Sequence, residues 1–324
     1  MPSDASHPLA LSTSGLTKTY GTRSAVSDLS LAIPTGVISG FVGPNGAGKT
    51  TTIRMLLGLI TPSAGSGEVL GADLGRPQEF LHRVGAMIES PAFYPALSGR
   101  RNLEVLARLG GIADFNIDRA LRRVGLADRA NDPFRSFSLG MKQRLGIAAA
   151  LLPSPDLLIL DEPTNGLDPA GIAEMRVLFR TLADDGITVF VSSHLLSEIA
   201  QICQHLVVIS AGRTVFQGHM DDLMSRTRPL LRATPEVLGQ LASLDQLATG
   251  LGMATQLEHG SLIAEGDTTM AALLFRAAAE AEITLVQLEV SRPSLEDTFL
   301  ALTGGEAVEP SSDQGARALG VTHD

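Results

Sequence analysis

One cysteine, Cys203, among 324 residues excludes an intramolecular disulfide, and alone it cannot make a metal site. It reads as a small buried hydrophobe in a chain suited to a reducing compartment. Basic residues are too few for a nucleic-acid footprint: 25 Lys and Arg face 35 Asp and Glu, a net charge of −10, and the basic residues form no run. Long apolar runs are missing too. Pro34, Gly36 and Gly40, and later Pro153, Pro155 and Asp156, interrupt them well short of the roughly 18 residues a bilayer span needs. Met1 to Ser14 is polar and carries Asp4 and His7 where a secretory leader needs a basic start and an apolar core, so no export signal is expected there.

What is present is a phosphate-binding pattern. Gly43-Pro44-Asn45-Gly46-Ala47-Gly48-Lys49-Thr50 satisfies G-x-x-x-x-G-K-[ST] at every constrained position. The glycines let backbone N–H groups turn inward around phosphate oxygens, the Lys ammonium neutralises the terminal phosphates, and the Thr hydroxyl ligates Mg²⁺. Val37 to Val42 before it predicts a buried strand. Thr51 to Leu59 after it predicts a helix whose N-terminus and dipole face the phosphates.

Leu11 to Pro34 alternates loosely between apolar and hydroxyl residues, predicting short antiparallel strands with a turn at Tyr20-Gly21. Between Phe80 and Asn131, Leu103, Val105, Leu106 and Leu109, followed by Ala120, Leu121, Val124 and Leu126, fall at three- and four-residue spacing, which predicts a helical insertion. The continuous apolar runs Leu157 to Leu160 and Val189 to Val191 predict strands buried on both faces, so the core is α/β with a parallel sheet. From Pro229 a small α+β unit begins, with a helix near Glu236 to Leu251, strands near 261–264 and 285–290, and another helix between them. A polar tail of residues 304–324 is expected to be disordered.

Leu157 to Leu160 runs into Asp161-Glu162-Pro163. At a strand tip beside the phosphate loop, Asp161 can hold Mg²⁺ and Glu162 can polarise water. Further segments follow in order: Phe137-Ser138-Leu139-Gly140-Met141, Asn165-Gly166-Leu167-Asp168-Pro169, and His194 after Val191-Ser192-Ser193. Together these resemble the ATP-binding-cassette ATPases over roughly two thirds of the chain.

The resemblance implies a P-loop NTPase with a RecA-like parallel core, an antiparallel β subdomain and a helical subdomain at about 90–150. Residues 11–228 would form the cassette, 1–10 an N-terminal extension and 229–303 an accessory domain. It implies Tyr20 against adenine, residues Gly43 to Thr51 on the phosphates, and Mg²⁺ held by Thr50, Asp161 and Glu89. Lys49, Glu162 and His194 carry catalysis, while Ser138 and Gly140 act in trans on the ATP of a second copy and Asp168 lies in the dimer-contacting loop.

Two departures stand out. Glu89 occupies the place of a γ-phosphate-sensing glutamine, and Leu139 and Met141 replace Gly and Gln of the signature. Both resemble the bacitracin and lantibiotic self-protection exporters, and the segment from Val290 to Gly304, with Ser294 as a helix cap and Asp297 three residues on, resembles the end of daunorubicin-type cassettes.

The implied function is ATP hydrolysis by a homodimer at the cytoplasmic face of the membrane, driving efflux of a peptide antibiotic or amphipathic drug. The work passes through a separate ABC-2 type permease docked near Phe93 and Tyr94. Lipid or polysaccharide export, and a soluble cassette ATPase outside transport, are the alternatives; one phosphate loop, no long heptad run and an acidic balance speak against the last.

Overall fold

In the computed structural model, residues 8–88, 92–112, 115–226, 229–291 and 298 are described. Glu89, the cap Ser294 with Asp297, and the expected tail lie outside them.

β1 (Leu9–Tyr20) and β2 (Arg23–Pro34) pair antiparallel across the Gly21 turn. They are two long strands rather than several short ones, and β1 begins inside the stretch expected to precede the domain. Register shifts along the pair break the apolar alternation, which is why the pattern looked loose.

β3 (Ile38–Val42) leads through the phosphate loop to α1 (Lys49–Leu56). The helix starts at Lys49 because Gly48 takes a left-handed φ of 104°, and it stops at Leu56, where left-handed Gly58 closes it. β4 (Ala64–Val69) and β5 (Ala72–Asp73) complete a sheet ordered β2-β1-β4-β5.

The stretch expected to be helical opens with a strand, β6 (Val84–Met87), before α2 (Gly99–Leu109), α3 (Ile117–Arg123) and α4 (Leu139–Ala150). Leu103 and Leu121 are buried, but Leu109, at the end of α2, is 76% exposed.

β7 (Leu157–Leu160), α5 (Pro169–Asp184), β8 (Thr188–Ser193), α6 (Leu196–Ile199), β9 (His205–Ser210), β10 (Arg213–His219) and α7 (Met220–Arg226) follow. The second sheet runs β10-β9-β3-β8-β7-β6, parallel except for the β9/β10 pair. Successive residues of its strands point to different cores. Leu158, Leu160, Val189 and Val191 pack with the helical segment, whereas Leu157, Ile159, Phe190 and Phe41 pack under α1 and the β1/β2 sheet. Burial on both faces is the reason these strands read as unbroken apolar runs. Cys203 is buried, facing Gly40, and burial pushes its thiol up to about 12.

β11 (Leu230–Pro235), α8 (Leu241–Gly250), β12 (Thr255–Glu258), β13 (Ser261–Glu265), α9 (Thr268–Glu280) and β14 (Leu285–Ser291) build a third sheet, β12-β13-β11-β14, wholly antiparallel. This is a split βαβ unit. Leu231, Ala233, Leu262 and Ala264 on one face pack with Leu244, Ala248, Leu274 and Ala278 of the two helices.

Candidate nucleotide site

The phosphate loop turns between the tip of β3 and α1, with the Gly43 N–H donating to Ser193 O at 3.4 Å. Two of its glycines are required by space. A Cβ on Gly43 would lie 2.5 Å from Ile209 O, and one on Gly48 would lie 2.6 Å from Ala25 O at a φ that side chains avoid. Lys49 is 7% exposed, and an ammonium so deep needs partners. Its Nζ donates to Gly43 O at 2.6 Å and lies 3.2 Å from Glu162 Oε1.

Both carboxylates stand at the end of β7. Asp161 is buried and anchored by its N–H to Met87 O at 2.8 Å. Its Oδ2 accepts from the Thr50 hydroxyl at 2.7 Å and its Oδ1 from the Ser192 hydroxyl at 2.5 Å. Ser192 also accepts from the Glu162 N–H at 2.9 Å, so one hydroxyl at the end of β8 fixes both acidic residues. Glu162 itself is left-handed, φ 48°, a conformation costing a non-glycine residue about 1 kcal/mol or more. The surrounding bonds hold it, and its side chain meets Lys49 on one oxygen and His194 Nδ1 on the other, 2.9 Å away.

Lys49, Glu162 and His194 line a cavity of about 830 Å³ with Tyr20, Asn45, Gly46, Gly48, Thr50 and Thr51. Tyr20 is 53% exposed, with Lys18 Nζ 5.2 Å above its ring. Arg23, Ser24, Ala25, Asn165 and Ala211 also line the cavity, though nothing in the sequence reading singled them out as nucleotide contacts. Arg23 was legible in principle, as a cation two residues past a turn that carries an aromatic. Ser192 was not, because only the parallel pairing of β7 with β8 brings it to Asp161.

The signature segment lies elsewhere. Ser138 caps α4, its hydroxyl accepting from the Met141 N–H at 3.3 Å, and Gly140 follows in the first turn. Asp168 caps α5 in the same way, accepting from the Gly171 N–H at 2.9 Å, with Pro169 at the first helical position. Both caps border a second cavity of about 610 Å³ that shares no lining residue with the first. Leu139, 45% exposed, covers Gly166 there, since a Cβ on that glycine would lie 3.1 Å from Leu139 Cδ2. Within one chain the predicted residues therefore fall at two separate cavities.

The arrangement of Thr50 and Asp161 suits a hard divalent cation: a hydroxyl and a carboxylate oxygen converge beside the phosphate cradle. No group of three or more metal-ligating His, Cys, Asp or Glu occurs among the described residues. None of the described helices is long and apolar enough to cross a membrane.

Comparison with known proteins agrees with this geometry. A family model described as ABC transporter matches residues 26–165. The bacitracin transport ATP-binding protein BcrA of Bacillus licheniformis is 42% identical, over 92% of this chain and 98% of that protein. The daunorubicin resistance ATP-binding protein DrrA3 of Streptomyces coeruleorubidus is 36% identical, over 92% of this chain and 96% of its own length. Among solved structures, cbiO1 from Clostridium perfringens, part of an ABC transporter complex, superposes with a TM-score of 0.61 at 25% identity, over 67% of this chain and 91% of that one. With a phosphate loop, a strand-end carboxylate pair and relatives matched along nearly their whole length, the chain belongs to the ATP-binding-cassette family, as one of its transporter ATPases.

Proposed function

We propose that this chain works as a head-to-tail homodimer at the cytoplasmic face of the membrane, hydrolysing ATP to drive efflux of a peptide antibiotic or amphipathic drug through a separate ABC-2 type permease. The Lys49–Glu162–His194 cluster is the observation that carries the reading. Lys49 and the inward N–H groups of the loop hold the β- and γ-phosphates, and Tyr20 covers the adenine. Thr50 and Asp161 would hold Mg²⁺, with Glu89 as a further ligand, and the bound ion would supply charge neutralisation for the phosphates. Glu162 takes the proton of the attacking water as its oxygen bonds to the γ-phosphorus and the bond to ADP breaks. His194 orients Glu162 and meets the transferred phosphoryl.

Separation of the two half-sites supports the dimer. The α4 N-terminus, with Ser138 and Gly140, borders a cavity that shares no lining residue with the one at its own chain's phosphate loop, so it serves the ATP of a second copy, with the Asp168 loop alongside. Drug efflux is supported by what the relatives are named for, transport of bacitracin and resistance to daunorubicin. Tyr94 supports the permease contact: it is 59% exposed, while Phe93 turns inward, its ring 5.0 Å from Phe134 edge-on.

Glu162→Gln tests the core of this reading. Turnover should fall by about 10²- to 10⁴-fold, the range for losing a general base. ATP should convert the variant from monomer to dimer, read by light scattering behind size exclusion. Undiminished turnover removes Glu162 as the base, and a variant that stays monomeric with ATP removes the shared site.

A further inference from the structure

The turn that displays Tyr94 is held by one buried side chain. Asn102, on α2, is 1% exposed. Its Oδ1 accepts from the Tyr94 N–H at 2.8 Å, and its Nδ2 faces the carbonyls of Tyr94, Leu97 and Ser98 at 3.1, 3.3 and 3.0 Å. A buried amide is tolerated when its donors and acceptor are satisfied, and here every one is spent on the same few residues of irregular backbone.

That turn is in turn stitched to the segment leading into α4. Phe134 N–H donates to Leu97 O at 2.8 Å, Arg135 N–H donates to Pro95 O at 3.0 Å, and Ser98 bridges Pro133. Side chains repeat the connection: Phe93 meets Phe134 at 5.0 Å, Phe134 meets Phe137 at 5.9 Å, and Lys142 Nζ of α4 lies 5.5 Å over the Phe134 ring. Phe137 directly precedes Ser138, the cap of α4.

We propose that Asn102 is a positioning residue: it fixes the shape of the Tyr94 turn, whose backbone is bonded to the segment before α4, so that a phosphate engaging Ser138 also moves the surface offered to the permease. The inference rests on the reading in which α4 meets the ATP of a second copy. Its physical basis is continuity: close-packed rings and hydrogen-bonded backbone pass on a displacement that a loose loop would absorb.

Hydrogen exchange on the full chain carrying Glu162→Gln, with and without ATP and Mg²⁺, tests this. ATP should slow exchange both over residues 138–146 and over 93–98. Adding Asn102→Ala should leave the response at 138–146 while cutting the ATP-dependent protection at 93–98 by about tenfold. Asn102→Asp, which keeps the acceptor for Tyr94 and loses the donors, should fall between. With Glu162 intact, Asn102→Ala should keep kcat and KM for ATP within about twofold, because no catalytic contact is touched. A full ATP response at 93–98 in Asn102→Ala overturns the proposal. A parent that shows no ATP response at 138–146 refutes the shared-site reading itself, and the Asn102 proposal falls with it. Phe93→Leu guards against loss of folded protein: it keeps apolar volume but removes the ring contact, so it should weaken the 93–98 response, and an undiminished response in it counts against the link.

Discussion

The six-stranded sheet gathers its polar side chains at one end, whereas the antiparallel sheet of residues 230–291 spreads its own along an open face. In the first, β3, β7 and β8 run parallel, so the residues at the end of each strand and just past it arrive together: the phosphate loop, Asp161 with Glu162, and Ser192 with His194. In the second, neighbouring strands alternate in direction. Its polar residues bond sideways instead, Thr234 to Ser261 at 2.8 Å and to Gln287 at 3.3 Å. Parallel tips leave convergent capacity for a ligand, and lateral ladders consume it.

The sharpest way to break this contrast is at the convergent end. Gly48→Ala places a methyl 2.6 Å from Ala25 O at a left-handed φ, and ATP affinity by calorimetry should drop by more than about 100-fold, roughly 3 kcal/mol. Retained affinity would mean that the cradle is softer than its contacts imply.

At the other sheet, Leu244→Ala empties a fully buried position between α8 and the strands. About 2–5 kcal/mol of stability should be lost, seen in denaturant unfolding followed by exchange at residues 230–291, with ATP turnover unchanged. A fall in turnover would show the two sheets to be energetically coupled.

Ser192→Ala is subtler. It takes one bond from Asp161 and the partner of the Glu162 N–H, so kcat should fall by about tenfold, matching the roughly 1–3 kcal/mol for orphaning buried polar groups. An unchanged kcat would mean that the strain at Glu162 is held without it.

The smallest effect concerns pH. Burial, with help from nearby His219, lowers His205 to about 4 from an ordinary 6.5. The unfolded chain therefore binds this proton first. The contribution of His205 to stability is complete above pH 6.5 and is lost as pH falls towards 4. Melting temperature should decline across that window, and His205→Gln should flatten the slope; a slope unaffected by the substitution would place the titration elsewhere.

Much of this was legible in the residues. The phosphate loop, the carboxylates after Leu160 and His194 after Ser193 each sit where the local pattern placed them, because each is a strand end followed by a turn. Paired strands were harder: β9 and β10, β4, β11 and β12 were not anticipated, since a short strand is defined by its neighbour's hydrogen bonds more than by its own composition. The helical reading from Phe80 hid β6 for the same reason. Ser192, Arg23 and Asn102 also escaped notice, because a lone polar residue acquires a role only from what the fold sets beside it.

By itself the sequence determined the chemistry of the phosphate site, since Gly43 to Thr50 and Asp161-Glu162 are demanded by local charge and backbone approach, and it determined the family through the order of its segments. Only the tertiary structure decided which groups meet. Parallel pairing carried Ser192 to the Asp161 carboxylate and the Glu162 N–H, a left-handed backbone turned Glu162 onto Lys49 and His194, and the α4 cap was placed on a different cavity from the phosphate loop. The physical reason is range: phosphate recognition is written in consecutive backbone amides, whereas orientation and separation depend on contacts between residues far apart in the chain.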